Sequence, residues 1–258
     1  MKQFIMIIIS LSSVFSATAS QSHRRQRSLS DSATSHKEYR RNLSYQEPAS
    51  MPLQEAVRAR SLSEVKNTRP SAVNLHDYRI NDGNTGMHIA AENGDLSILK
   101  ILKSLRADVN AQNDIGRQTP LYLAARAGNC EVISWLIENG AEVNLSAITN
   151  SPLHVAIVNK KIPAADLLIS RGANVNKTDF RGETPLHYAA RYNCLEVVKK
   201  LIENGANINA QDKKGLTPLH EAYKYNHQEI VDFLLSTPGI NQGLKDKEGK
   251  TPKDYETK

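Results

Sequence analysis

Apolar residues recur along the chain as pairs followed three positions later by a leucine: Ile98-Leu99 with Leu102, Val132-Ile133 with Leu136, Ala164-Ala165 with Leu168, Val197-Val198 with Leu201, and Ile230-Val231 with Leu234. Steps of one, three and four residues put each set on one face of a helix. A second signature precedes each pair. The blocks Thr85-Gly86-Met87-His88, Thr119-Pro120-Leu121-Tyr122, Ser151-Pro152-Leu153-His154, Thr184-Pro185-Leu186-His187 and Thr217-Pro218-Leu219-His220 follow one another at spacings of 34, 32, 33 and 33 residues. Thr251-Pro252 lies 34 residues further on, and Met51-Pro52-Leu53 precedes Thr85 by 34. Each block leads into an alanine: Ala56, Ala90, Ala124, Ala156, Ala189 and Ala222. A fixed period of this length marks an array of stacked units. The usual step from 258 residues to one or two compact domains therefore does not apply.

One unit can be built from its residues. Thr119, Thr184 and Thr217 are helix N-caps, and Pro120, Pro185 and Pro218 suit the first helical position, where a missing N–H costs nothing. The recurrent alanine lets neighbouring helices approach closely. Gly140, Gly172 and Gly205 end the second helix at a position that favours left-handed backbone. Asp179-Phe180-Arg181-Gly182 and Asp212-Lys213-Lys214-Gly215 then supply the Asp/Gly turn of a hairpin. The unit is helix, turn, helix, hairpin.

These residues resemble the ankyrin-repeat family, whose unit carries a D-x-x-G-x-T-P-L-H-x-A-A pattern. Asp179–Gln211 is close to it, through Thr184-Pro185-Leu186-His187-Tyr188-Ala189-Ala190 and Asn204-Gly205-Ala206-Asn207-Ile208-Asn209. The resemblance covers roughly residues 49–256. It implies a mainly α solenoid with projecting hairpins that binds other proteins and is not an enzyme. Full units are expected at 81–113, 114–146, 147–178, 179–211 and 212–245, between a degenerate N-terminal capping repeat at 49–80 and a partial C-terminal one at 246–258. Departures mark the atypical places. In the first full unit Gly86 replaces the proline and Arg106 the turn glycine, so this unit is expected to fray first. The third lacks the Asp-x-x-Gly turn, reading Ala147-Ile148-Thr149-Asn150, and is one residue short, so its tip should be blunt. Pro163 falls at the start of a second helix, and Lys253 replaces the core leucine in the polar C-terminal cap that solenoids need.

The first residues form a different pattern. Met1–Ala19 has a positive start at Lys2, an apolar run over Phe4–Ile9, and small residues Ala17-Thr18-Ala19, the layout of a secretory signal peptide cleaved after Ala19. Serines at 10, 12, 13 and 16 argue against a retained membrane span. Residues 20–48 are rich in Ser, Arg, Gln and His and too poor in aliphatic residues to offset the entropy of ordering, which predicts a disordered basic arm. The expected product is secreted or periplasmic, with no integral span after cleavage.

Charge changes the picture only when divided by position. The chain carries 33 basic and 27 acidic side chains, a net +6, and residues 81–258 hold 21 of each. The excess lies in the first 80 residues, so the solenoid offers no broad nucleic-acid face. Two cysteines exclude a four-cysteine zinc module and a disulfide-stapled miniprotein. Cys130 and Cys194 fall at nearly the same place two units apart, too far for an internal bridge at ~10 Å per layer. They are expected to be buried thiols. His88, His154, His187 and His220 occur once per unit at one offset, which points to a packing ladder and not to a metal or acid–base site. No HExxH, GxSxG or Gly-rich phosphate loop is present, so no catalytic residue, metal or cofactor is expected. Asn42, Asn144 and Asn176 begin glycosylation triplets, the latter two at the repeat's own Asn position. Trp135, the single tryptophan, stands at an offset that also holds Lys200 and is expected to pack at the core edge.

What remains are positions the framework leaves free, at the hairpin tips and the exposed side of the first helix. In this family they imply the concave partner surface. In the last two full units they are Phe180, Arg181, Glu183, Arg191 and Tyr192, then Lys213, Lys214, Leu216, Lys224 and Tyr225. The set holds five basic residues, one acid and three aromatics, with Arg and Tyr prominent among interface hot-spot types. The expectation is an exported protein-binding module, with a host-directed effector as one form, whose partner presents an acidic segment to this face. A surface or nucleic-acid tether working through the basic arm, and an enzyme inhibitor presenting its hairpins, are the alternatives. No oligomer is indicated.

Overall fold

Prolines 120, 152, 185 and 218 each open a helix, and each follows a hydroxyl side chain in extended backbone. The computed structural model describes residues 83–256, which form five consecutive helix pairs; four open with this proline, and the first opens on Gly86 after Thr85. The pairs are α1 (Gly86–Asn93) with α2 (Leu96–Ser104), α3 (Pro120–Ala127) with α4 (Cys130–Glu138), and α5 (Pro152–Val158) with α6 (Ile162–Ser170). They continue as α7 (Pro185–Arg191) with α8 (Leu195–Glu203) and α9 (Pro218–Lys224) with α10 (Gln228–Ser236), followed by a 3-10 turn at Pro252–Tyr255. The expected signal peptide, basic arm and N-terminal capping repeat, with Asn42, lie outside the described residues.

The first helices of successive pairs pack on one another in order, α1 on α3, α3 on α5, α5 on α7 and α7 on α9, and the 3-10 turn closes the row on α9. The second helices form a parallel row, α2, α4, α6, α8 and α10. Between the two layers the predicted apolar positions are buried, including Ile98-Leu99, Val132-Ile133, Val197-Val198 and Ile230-Val231 with their leucines. The recurrent alanines 90, 124, 156, 189 and 222 are fully covered, which allows the first helices their close approach. Burial of this kind is worth about 25 cal/mol per Å² of apolar surface, and each layer obtains it only from its neighbours.

Two ladders of side-chain hydrogen bonds tie one unit to the next. In the first, Nδ1 of His88, His154, His187 and His220 accepts from the backbone N–H of its own cap residue at 3.0–3.4 Å and lies 2.7–2.9 Å from that residue's hydroxyl. Nε2 of the same rings meets the carbonyl oxygens of Gln118, Glu183, Leu216 and Lys250, each in the following hairpin, at 2.8–3.2 Å. A carbonyl only accepts, so Nε2 carries the proton and donates. Tyr122 fills this slot in the second unit and reaches the next hairpin by donating its hydroxyl to Asn150 Oδ1 at 2.9 Å. On the opposite edge Asn110, Asn144, Asn176 and Asn209 donate Nδ2 to the carbonyls of Gly140, Gly172, Gly205 and Gly239. Their Oδ1 atoms accept from the backbone N–H groups of Glu142, Asn174, Asn207 and Asn241. The amides of the two triplets at Asn144 and Asn176 are thus occupied by the framework.

The unequal spacings have definite locations. Hairpins at Asp179, Asp212 and Asp246 close by an N–H to carbonyl bond four residues on, to Glu183, Leu216 and Lys250. The hairpin at Asn113 closes five residues on, to Gln118, and the blunt one at Ala147 three on, to Asn150. The helices therefore keep register while the turns absorb the insertion and the deletion. The last 34-residue spacing arises after α10, where Thr237 leaves the helix extended and Gly239 takes the left-handed position. At the end of the second helices Gly140, Gly172 and Gly205 have φ of +95°, +85° and +82°, and a Cβ there meets nothing within 4 Å. Glycine is favoured at these places by backbone conformation alone, and Arg106 adopts the same turn at φ +64° with the strain a side chain brings. Both thiols are free. Cys194 is buried as expected, whereas Cys130 at the start of α4 is only half-buried. Trp135 is half-buried against the core.

A protonated imidazole in this ladder places a second N–H against the cap's backbone N–H. Burial accordingly holds His154 down to about 4 and depresses His187 and His220, only partly offset by the carbonyls they meet and by nearby carboxylates. An unfolded histidine takes up its proton near pH 6.5, so between there and about 4 the unfolded chain binds more protons and stability falls as pH falls. The loss through His154 alone is on the order of 3 kcal/mol by the bottom of that window. Urea melts are expected to show a midpoint that drops steadily from about pH 7 to about pH 4.5, with part of the slope removed by His154→Gln. A midpoint that stays level from about pH 7 to about pH 5 contradicts the ladder's role.

Candidate partner-binding groove

Between the hairpins that open the fourth and fifth units and the ends of α7 and α9 lies a groove of about 560 Å³. Its floor is built on Arg191, the last residue of α7. The guanidinium donates to both oxygens of Glu183 at 3.0 and 2.6 Å and to both oxygens of Glu221 at 2.9 and 2.8 Å. Glu183 and Glu221 are 3% and 1% exposed. Burial raises the Glu183 carboxyl, but the Arg191 guanidinium outweighs it and holds the group below the usual carboxylate range. Burial likewise disfavours the charged guanidinium, and the hydrogen bonds it donates to Glu221 and Glu183 overcome this, pushing Arg191 further up. The Arg191 guanidinium carbon also lies 5.6 Å from the centre of the Tyr188 ring. Burial and the hydrogen bond to Asp179 Oδ2, at 2.8 Å, raise the Tyr188 hydroxyl well above its ordinary value.

Asp212, the remaining acid of the lining, is also consumed from within. It is 8% exposed, and its Oδ1 accepts from the N–H groups of Lys214 and Leu216 at 2.8 Å. The charged side chains that reach solvent around the groove are Arg181, Lys213, Lys214 and Lys224, all positive. Phe180 and Tyr225 stand on the rim at 53% and 46% exposure. Arg181 lies 5.1 Å from the Phe180 ring centre and Lys224 5.8 Å from that of Tyr225. Charge is sorted by depth, with the acids and the Arg191 that holds two of them below and the exposed cations above.

The structure brings together Phe180, Arg181, Glu183, Arg191, Lys213, Lys214, Leu216, Lys224 and Tyr225 around this one groove. Tyr192 lies outside its lining, half-buried and stacked on Tyr188 at 6.2 Å. Two expectations need correction. Glu183 and Leu216 are not free surface positions: each immediately precedes a Thr cap, and its carbonyl is the one that meets the neighbouring histidine, which draws the residue inward. Arg191 is not a free cation, because two buried carboxylates hold it. Sequence reasoning also passed over Glu221. The signal was an acid at a helix position where other units place Ile89, Leu123, Val155 and Tyr188. Among the described residues no cluster of three His, Cys, Asp or Glu side chains could hold a metal ion, and no helix is long and apolar enough to cross a membrane.

A stack of helix–turn–helix–hairpin units, joined layer to layer through cap histidines, is an α-solenoid of the repeat-protein class. The family model described as ankyrin repeats matches in three copies, over residues 53–147, 87–179 and 153–246, and the chain belongs to the ankyrin-repeat family. It is similar to an ankyrin repeat protein of Rickettsia felis, 31% identical over 121 residues that cover 46% of this chain and 39% of that one. A fowlpox virus ankyrin repeat protein is 35% identical over 110 residues, 42% of this chain and 32% of that one. The Drosophila melanogaster NF-kappa-B inhibitor cactus is 32% identical over 107 residues, 40% of this chain and 21% of that one. The matches thus span well under half of these relatives. The crystal structure of the human ASB11 ankyrin repeat domain superposes with a TM-score of 0.70 at 27% identity, covering 80% of this chain and 92% of that one. Ankyrin repeats indicate a protein–protein interaction module.

Removing Arg191 leaves two buried carboxylates without their cation. Arg191→Ala is expected to cost about 3–5 kcal/mol of stability in urea or thermal melts, with part restored by adding Glu183→Gln and Glu221→Gln. A loss below about 0.5 kcal/mol contradicts the floor's role. Charge reversal at Arg191 therefore reads folding and not binding.

Proposed function

We propose that this chain is an exported, non-enzymatic binding module that seats an acidic segment of a partner protein in the groove of its fourth and fifth units. The observation that carries the reading is the sorting of charge by depth: Glu183, Glu221 and Asp212 are buried and satisfied, while Arg181, Lys213, Lys214 and Lys224 face solvent beside two exposed aromatic rings. An acidic segment finds opposite charge at the rim and aromatic surface for an apolar side chain, the combination that favours both steering and hot-spot contact. Relatives of the same family point to binding; cactus is by name an NF-kappa-B inhibitor. The layout of Met1–Ala19 supports export, and the Rickettsia felis relative is in line with a bacterial source. An exported bacterial binder has envelope or host proteins as its natural partners, and a host-directed effector role follows on that reading.

The groove is tested with a labelled glutamate-rich peptide bearing one aromatic residue, followed by fluorescence anisotropy. Lys213→Glu combined with Lys214→Glu is expected to weaken binding at least about tenfold and to flatten its salt dependence. Lys199→Glu with Lys200→Glu, on the second-helix layer, is expected to leave it unchanged. Equal loss in both pairs, or in neither, removes the groove from the account. For export, N-terminal sequencing of the chain recovered outside the producing cells is expected to begin at Ser20, and a chain that keeps Met1 contradicts it.

A further inference from the structure

The groove explains the cationic tips but not the apolar side chains that lie beyond it. Ile115 and Ile148 are 64% and 63% exposed, the most exposed large hydrophobic residues among those described. They share a structural position with Phe180, the tip of successive hairpins. Each tip is hooked to the one before: Ile148 N–H donates to the Gly116 carbonyl at 2.8 Å, Phe180 to Thr149 at 3.4 Å, Lys213 to Arg181 at 2.9 Å and Lys247 to Lys214 at 2.9 Å. Ile115, Ile148, Phe180, Lys213 and Lys247 therefore follow one another along a single edge. Isolated exposed apolar residues are ordinary, but a row of three in register is a patch.

Charge is sorted along this edge as well as by depth. From Phe180 onward the solvent-facing tip residues Arg181, Lys213, Lys214 and Lys247 are positive, and the one exposed acid there, Glu248, is paired with Lys250 at 2.8 Å. At the other end Asp114 and Arg117 offset each other in sign. One half of the edge is apolar and the other cationic.

We infer that the edge reads a partner segment of split chemistry, an extended peptide with apolar side chains in one half and acidic side chains in the other. The apolar half covers Ile115, Ile148 and Phe180, and the acidic half meets Lys213, Lys214 and Lys247. Four steps of ~10 Å give a row of ~40 Å, which an extended chain at ~3.3 Å per residue spans with about twelve residues. An anionic membrane also combines apolar and charged contacts, but it separates them by depth, so each tip needs an apolar residue leading and cations behind. Here the two kinds lie at opposite ends of the row. A nucleic acid leaves the isoleucine half unused. The inference rests on the groove reading and extends it toward the N-terminal units.

The test uses the full chain and peptides of about twelve residues with equal leucine and glutamate content, either segregated into halves in both chain directions or interleaved. The segregated peptide in its better direction is expected to bind about tenfold more tightly than the interleaved one. Ile115→Ser with Ile148→Ser is expected to erase that preference while leaving the salt dependence intact, and circular dichroism confirms that the fold survives. If both peptides bind alike and Lys213→Glu with Lys214→Glu still weakens them, the groove stands and this inference is overturned. If that lysine pair has no effect on either peptide, the groove reading fails first. Anionic vesicles provide the last arm: vesicle binding that depends on Ile115 and Ile148, without a preference between peptides, assigns the row to a membrane and overturns the inference.

Discussion

Each of the five full units is fastened to the next hairpin through one aromatic ring at the same offset, Tyr122 by its single hydroxyl and the others by a ring whose two polar atoms face in opposite directions. In four units the ring is an imidazole: Nδ1 is held at its own cap, and Nε2 reaches the carbonyl that closes the following hairpin. The geometry demands the neutral Nε2-protonated ring, buried, with no space for a second proton. It fixes the hairpin relative to the helix and therefore the position of everything the hairpin carries. The asparagine ladder does the same on the opposite edge, so each unit is pinned at two places.

With both edges committed to the framework, the tips and the outward side of the first helices are left to carry the groove's exposed residues. There the chain builds a cationic rim without an excess of cations, since residues 81–258 hold equal numbers of both signs. The acids beside the rim are drawn down into the guanidinium of Arg191 and the amides of the Asp212 turn. Arrangement supplies the field, and the arrangement depends on Arg191 being held by two carboxylates.

The caps, the helix-opening prolines, the buried faces of the second helices and the histidine ladder were legible because each leaves a repeated residue at a fixed offset. Hairpin lengths were partly legible: the spacings of 34 and 32 announced an insertion and a deletion, and the structure locates both in turns. The depth of Glu183 and Leu216 was not legible. A position just before a cap reads as turn, yet its carbonyl must reach a buried imidazole, and the side chain follows it inward. Glu221 was hidden for the opposite reason, as a charge in an apolar column whose partner is thirty residues away. Pattern reports what units share, and pairings peculiar to two units escape it.

The central claim is that a partner is held at the hairpin side of the fourth and fifth units by an acid-rich segment. A photo-crosslinking residue placed at Phe180, compared with one at Lys199 on the second-helix layer, tests it most directly once the captured peptides are identified by mass spectrometry. The account predicts capture at the Phe180 position alone, through peptides rich in Asp and Glu. Equal capture at both positions, or captured peptides without acidic enrichment, contradicts it.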